Sequence, residues 1–339
     1  MTLESHPEPR PRTAVSALLS AYSATYLEAA LRSVLEQSHT DLEVVIIDDS
    51  PAAEVRRIVD QIGDPRVRYF RNQQNLGTAL SYRRAIELAG GELLAVINDD
   101  DVWEPDFVEQ LLAALREHPE AVLAFSDHWV LSGEDRDVEQ TDRLSMIWGR
   151  AGLASGLYRP FRRLAVLDGA VSIAIAALFR RDAVIDRPIP AAVGGAYDLY
   201  LAQVLSRDGA GAVYVDRRLS SWRVHEQNQT NVPSCARAEQ NAAAMRLILS
   251  DPAFAELRPE LRRAYGARLW AVATRNLRYG SDRRALAAIT GALRHRNGRA
   301  ALLLAPLAMP APMRRVLSKH AAAKPLARLR RGEDPAHPL

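Results

Sequence analysis

The 339-residue chain carries 44 Lys and Arg against 41 Asp and Glu, a net charge of +3. A quarter of its residues are charged and its glycine and proline content is ordinary, which excludes collagenous, low-complexity and disulfide-dense classes. Cys235 is the only cysteine, so the chain forms no internal disulfide and no thiolate metal cage, a usage expected of a reducing cytoplasm.

In chain order, residues 1–12 read as a loose, Pro-rich arm without an apolar leader core. An apolar run at 15–19 predicts a strand. Leu27, Leu31, Val34 and Leu35 then recur at helical spacing. Residues 42–47 are a β-branched run, the pattern of a strand buried on both faces. A helix over 53–61, a strand over 67–70 and a turn at Asn75-Leu76-Gly77 follow. Residues 79–89 predict a helix closed by Gly90-Gly91, and 93–97 the next strand. Pro105 opens a helix through 117, and 122–126 is strand again. This alternation predicts an α/β fold of mostly parallel βαβ units flanked by helices. Further on, 133–143 is charged and predicts a loop, and 171–179 predicts a strand. Gly194-Gly195 precede a helix over 197–206, and 212–215 and 219–224 read as two short strands. From 236 to 331 the pattern is helical.

Two acidic clusters, Asp48-Asp49 and Asp99-Asp100-Asp101, fall at strand ends on one edge, where open α/β sheets place their ligands. Three adjacent carboxylates repel one another and call for a cation; Mg²⁺ and Mn²⁺ prefer oxygen ligands and share them with substrate phosphates. The alternative is a solvated acidic turn ahead of the next helix. Residues 256–331 hold 18 Lys and Arg against 3 Asp and Glu, so the remainder is net acidic. The basic segment reads either as a peripheral contact with an anionic membrane or as a solvated helical cap. No apolar segment reaches the roughly 20 residues of a membrane span. Sparse aromatics past residue 280 argue against a nucleic-acid partner.

The stretches Val15-Ser16-Ala17-Leu18-Leu19-Ser20-Ala21-Tyr22, Leu35-Glu36-Gln37-Ser38, Leu42 to Ser50, Asn75-Leu76-Gly77, Gly91-Glu92 and Asn98 to Asp106 form an ordered set. Over roughly residues 14–130 that set resembles the family 2 glycosyltransferases of the GT-A fold. A weaker likeness continues to Trp222-Arg223-Val224-His225-Glu226-Gln227-Asn228-Gln229-Thr230. The resemblance implies a Rossmann-like GT-A catalytic domain at 13–232, with a nucleotide-sugar half at 13–130 and an acceptor half at 131–232. A basic helical region, 233–339, follows. The implied activity is metal-dependent, inverting transfer from a nucleotide-sugar donor, UDP-linked by preference, to a hydroxyl of a sugar, lipid-linked or small-molecule acceptor, as in polysaccharide biosynthesis. The implied location is cytoplasmic, or peripheral at the inner face of the membrane.

The resemblance also implies roles for single residues. Ser20, Ala21 and Tyr22 would hold the base, with a plain core aromatic as the alternative for Tyr22, and Asp49 would accept from its N–H groups. The acidic run resembles the DXD motif in two frames. In the preferred one Asp99 meets the ribose, Asp100 binds Mn²⁺ or Mg²⁺, and Asp101 is a second ligand or a support; Asp99-x-Asp101 is the literal frame. His225 would join the metal or orient the diphosphate. The family's usual arginine is absent at Ser81-Tyr82, which moves diphosphate contact to Arg83 or Arg84. The family's acidic pair falls on Gly195-Ala196, leaving Asp198 as the expected catalytic base. A first-turn acid favoured by the helix dipole is its alternative role, and Asp127 and Asp168 are fallbacks. These departures motivate a rival reading, a non-catalytic nucleotide-sugar-binding or scaffold protein. No G-x-G-x-x-G follows the first strand, which disfavours a dinucleotide-dependent oxidoreductase.

Overall fold

A computed structural model describes residues 14–225, 228, 234–295 and 297–304. The expected arm at 1–12 and the end of the basic region, 305–339, lie outside the described residues. The first half is built from β1 (Val15–Ala21), α1 (Leu27–Leu35), β2 (Leu42–Asp48), α2 (Glu54–Ile62), β3 (Val67–Arg71), α3 (Thr78–Leu88), β4 (Leu93–Asn98), β5 (Val102–Trp103), α4 (Phe107–Glu117) and β6 (Ala121–Ser132). Next come β7 (Asp135–Arg136), α5 (Val138–Ile147), β8 (Gly156–Tyr158), α6 (Arg162–Val166), β9 (Ala177–Arg180), α7 (Tyr197–Leu205) and β10 (Gly211–Val224). Three helices close the described chain: α8 (Cys235–Ser250), α9 (Arg258–Tyr279) and α10 (Asp282–Arg294).

The main sheet has the order β3-β2-β1-β4-β9-β6-β10-β5. β3, β2, β1 and β4 run parallel, as the alternation predicts. β2 is buried along its whole length because helices cover both faces of the sheet. α1 turns Leu27, Ala30, Leu31 and Val34 onto one of those faces at helical spacing. β9 then enters between β4 and β6, antiparallel to both. A strand from the second half thus completes the sheet of the first, across the expected boundary at 130.

Three expectations are corrected here. The charged stretch expected as a loop at 133–143 contains β7 and the start of α5; Asp137 caps α5 by accepting from the Gln140 N–H at 2.9 Å. Only Ala177–Arg180 of the expected strand over 171–179 is strand. Val171, Ile173 and Ile175 are buried in the core without sheet pairing. The two short strands expected at 212–215 and 219–224 are one strand, β10, with register shifts on either side of Arg218. Among the described residues, no helix is long and apolar enough to cross a membrane.

One buried carboxylate ties the first strands of the sheet together. Glu43 in β2 accepts from Ser16 Oγ of β1 (2.6 Å), Arg68 Nη1 of β3 (2.8 Å) and the Gly90 N–H (2.6 Å). Burial opposes its ionisation, but these donors outweigh it and hold the group below its ordinary range. The next amide, Gly91 N–H, donates to Ser16 Oγ at 2.8 Å, and a Cβ on Gly91 would sit 2.6 Å from the Ser16 nitrogen. No side chain fits there. Glu43→Ala leaves the Arg68 guanidinium with the Leu88 carbonyl but no counter-charge, and two further donors without this acceptor, and unfolding in urea at pH 7 should show a loss of about 3 kcal/mol. A loss under about 0.5 kcal/mol would remove Glu43 from this role.

Candidate functional site

The ends of β1, β2 and β4 share one edge, with Ala21 beside Asp48 and Ser20 beside Asn98. Just beyond that edge Asp99 Oδ2 accepts from the backbone N–H groups of Tyr22 (2.7 Å) and Ser23 (2.6 Å). The first acid of the run therefore clamps the β1–α1 turn and leaves the Tyr22 side chain 52% exposed. Burial, reinforced by the neighbouring Asp100 charge, raises the Asp99 carboxyl to about 6 against the pull of those two amides.

Asp49, at the end of β2, is 6% exposed. Its Oδ1 accepts from Asn72 Nδ2 and the Leu76 N–H, and its Oδ2 from the Gly77 N–H, each at 2.8 Å. It thus folds the Asn75-Leu76-Gly77 turn, and Gly77 sits there at φ 76°, a conformation that glycine adopts without strain. One acceptor direction of the four on a carboxylate remains for a ligand. Asp48 is fully buried and accepts from the Ser50 N–H and hydroxyl and the Tyr69 hydroxyl, which makes it a support for the loop.

The second acid, Asp100, faces the end of β10. Its Oδ2 lies 3.0 Å from His225 Nε2 and 3.0 Å from Asn228 Nδ2. The Arg223 Nε donates to the Asp100 carbonyl at 3.1 Å, and the guanidinium rests on the Tyr26 ring, 4.5 Å from its centroid. Asp101 is fully buried; its Oδ1 accepts from the Arg223 N–H (3.0 Å) and its Oδ2 from Asn98 Nδ2 (2.8 Å). Burial and the adjacent Asp100 push its carboxyl well above the ordinary range. Of the three residues expected at a metal, Asp100 and His225 stand together. Asp101, fully buried with each oxygen accepting one bond inside the protein, fits the supporting one of its two expected roles. One carboxylate and one imidazole suit a hard or borderline divalent ion that takes its other ligands from water and diphosphate, as Mg²⁺ and Mn²⁺ do. Among the described residues no group of three His, Cys, Asp or Glu side chains forms a closed metal cage.

Arg83 is not brought to this edge. It pairs with Glu87 at 3.0 Å on the outer face of α3, while Arg84 turns to the Arg71 carbonyl and Asn72. The helical period turns Tyr82 inward instead, where its one hydroxyl proton is within reach of the Ile97 carbonyl (2.9 Å) and of Asn98 Oδ1 (3.0 Å). Tyr82 stacks on Tyr197 at 4.4 Å between centroids, and the Tyr197 hydroxyl also reaches Asn98 Oδ1 at 3.3 Å. Tyr82, Tyr197 and Asn228 were not singled out from the sequence. The signal for Tyr82 was its position on the apolar stripe of α3; Asn228 was carried only as part of the segment after Trp222.

Tyr197 opens α7, and Asp198 follows in its first turn, accepting from the Leu199 N–H at 2.8 Å. Burial raises the Asp198 carboxyl above its ordinary range, and the charges of Arg237 on α8 and Arg268 on α9 partly offset this. Of the fallback acids, Asp127 is locked in a buried ion pair with Arg150 at 2.6 Å, and Asp168 lies 3.5 Å from Arg163. The Gly194-Gly195 turn before α7 is pressed against α8. A Cβ on Gly194 would come within 2.2 Å of the Gln240 side chain, and one on Gly195 within 2.8 Å of Arg237 Nη1. That approach explains why no acidic pair stands at this turn. A cleft of about 640 Å³ lies along β6 and β10, lined by Glu104, Asp127, Trp129, Arg150, Tyr214 and Arg218 among others.

Residues 16–186 match the family described as Glycosyl transferase family 2. The glucosyl-dolichyl phosphate glucuronosyltransferase of Haloferax volcanii is 35% identical over 112 residues, 32% of this chain and 36% of the relative. The chain spans less than half the length of the curated relatives it matches. Among solved structures, S. aureus TarS 1-349 in complex with UDP-GlcNAc has a TM-score of 0.65 at 15% identity, covering 94% of this chain and 92% of that one. Mannosyltransferase PcManGT from Pyrobaculum calidifontis, in complex with GDP-Man and Mn²⁺, has a TM-score of 0.55 at 19% identity, covering 95% and 89%. These two likenesses bear out the expected fold class.

Asp49→Ala would take an acceptor from three donors around the Asn75-Leu76-Gly77 turn, leaving the Leu76 N–H with none while the Gly77 N–H keeps Asn75 Oδ1 and Asn72 Nδ2 keeps Ser81 Oγ. The expected outcome is a stability loss of about 2 kcal/mol and faster amide hydrogen exchange at Leu76 and Gly77. Unchanged exchange at those two amides would show that the turn is held by something else.

Proposed function

The chain belongs to glycosyl transferase family 2, and on that premise we propose that it moves a sugar from a nucleotide-sugar donor, UDP-linked by preference, to an acceptor hydroxyl with inversion. The observation that carries this reading is the meeting of Asp99, Asp100 and His225 at the edge where β1, β4 and β10 end. Tyr22 offers an exposed ring for the base, and the remaining lone pair of Asp49 can accept from it. We assign Asp99 Oδ1 to a ribose hydroxyl, since Oδ2 is taken by two amides. Asp100 and His225 would hold Mn²⁺ or Mg²⁺, which when bound neutralises charge growing on the departing diphosphate. PcManGT with GDP-Man and Mn²⁺ and TarS with UDP-GlcNAc support this reading.

Asp198 is the proposed base. It removes the proton from the acceptor hydroxyl as that oxygen bonds to the anomeric carbon and the bond to the nucleoside diphosphate breaks. Its raised carboxyl suits this task, because a base held closer to neutrality takes a proton more readily. The name of the Haloferax volcanii relative supports a lipid-linked acceptor. We also propose peripheral contact with anionic lipid. Leu286 and Leu293 are exposed on α10 beside the exposed Arg283 and Arg294.

Calorimetry should show saturable UDP binding in the presence of Mn²⁺, weakened by about tenfold or more in Asp100→Ala. Asp198→Asn should keep UDP binding and lower kcat by about 10²–10⁴. The rate should climb as pH rises through the Asp198 pKa, with an acid limb above the ordinary aspartate value of about 3.9. UDP binding with neither transfer nor slow hydrolysis of UDP-GlcNAc would instead establish the non-catalytic scaffold. Separately, vesicles rich in anionic lipid should retain the chain at low salt and release it at high salt; no retention at low salt would end the membrane reading.

A further inference from the structure

Two groups of guanidiniums contrast in how they are partnered. In the cleft along β6 and β10 each has a carboxylate partner: Arg136 with Glu104, Arg150 with Asp127, Arg217 with Asp106 and Arg218 with Asp142. Arg237 and Arg268 differ. Both act on the Asp198 carboxylate through space, yet neither forms an ion pair with any described residue. The Arg268 Nε is buried with no acceptor. Burial draws this guanidinium down to about 10, against the pull of Asp198. Arg237 lies against the Gly194-Gly195 turn, whose lack of side chains makes room for it. Arg237, Arg268 and Asp198 each keep part of their surface exposed.

The local charge is unbalanced, with two guanidiniums facing one carboxylate. Leaving such groups unpaired in a half-buried place is costly, and a bound anion would relieve the cost. Guanidinium forks match phosphate oxygens in geometry as well as charge. The site flanks the proposed base on the side built by α8 and α9, whereas the nucleotide edge is built by β1, β2 and β4. We infer that Arg237 and Arg268 form a subsite for a phosphate of the acceptor, so that the molecule receiving the sugar is phosphate-bearing and its hydroxyl is delivered beside Asp198. The inference rests on the transferase reading. The same chemistry would also suit the donor diphosphate, and the test separates the two sources.

The full chain, saturated with UDP and Mg²⁺ so that the nucleotide edge is filled, is titrated with inorganic phosphate and with glycerol 3-phosphate. Saturable binding of both is expected. Arg237→Gln and Arg268→Gln should each weaken it by about tenfold or more while UDP affinity changes by less than about twofold. Arg237→Lys and Arg268→Lys should keep part of it. UDP binding without phosphate binding in the unsubstituted chain overturns the subsite and leaves the transferase reading standing. Loss of UDP affinity in the glutamine variants assigns the guanidiniums to the donor and also overturns the subsite. Absence of UDP binding in the unsubstituted chain strikes the transferase reading itself. Circular dichroism checks each variant's fold; if a glutamine variant does not fold, the lysine variants and the unsubstituted chain still decide.

Discussion

The Asn98 side-chain amide is the joint on which the site depends. Its nitrogen donates to Asp101, and Asp101 in turn holds the Arg223 N–H at the end of β10. Its oxygen accepts from Tyr82 on α3 and Tyr197 on α7. One small side chain thus links two strand ends and two helices, each partner through a bond that only one orientation of the amide can satisfy. Asp100 meets His225 because Asp101 has already drawn β10 to the acidic run. Tyr197, which precedes Asp198 on α7, is fastened to the same oxygen. A buried carboxylate without partners would be costly, so the network has to form as a whole.

Much of this was legible in the sequence, for a physical reason. Strands buried on both faces must be continuously apolar, and helices packed on them must repeat every three or four residues, so 15–21, 27–35, 42–48 and 93–98 announce themselves. The acidic clusters were visible because polar residues that end such runs stand out. α5 was not visible because its buried side chains are Thr141 and Ser145, which make no apolar stripe. The stretch 171–176 misled because an alternating pattern records burial and not pairing: Val171, Ile173 and Ile175 are in the core, while the backbone turns, with the Ala176 N–H donating to the Ser172 carbonyl. Arg83 misled because charge alone does not say which face of a helix a residue takes.

The two halves of the sheet differ in how they hold their charges. Around β1 to β4, carboxylates are met by backbone amides, as at Asp99 and Asp49, or by a mixed set, as at Glu43. Around β6 and β10 they are met by guanidiniums. Burial alone would raise Asp127, but Arg150, Ser145 and the His128 N–H hold it below the ordinary range. Arg150 and His128 are buried with it, and burial together with the Arg150 charge lowers the His128 imidazole to about 3. Amide-lined carboxylates keep a fixed backbone shape, while paired side chains fix the relation between elements, here β6 and the segment after α5.

The place of β9 bears on the order in which the chain can assemble. β1 to β4 neighbour one another in sequence and can pair early. Only the tip of β6 has such a neighbour, β7 against Leu131 and Ser132; its 123–125 segment waits on one edge for 177–180 and on the other for 211–215. Until those segments are synthesised, a strand carrying Leu123, Ala124 and Phe125, all fully buried in the finished protein, has two unpaired edges. Such an interval favours capture by another chain over slow, non-local closure. The feature that unites the two halves of the sheet therefore also sets the period during synthesis when the protein is most exposed to aggregation.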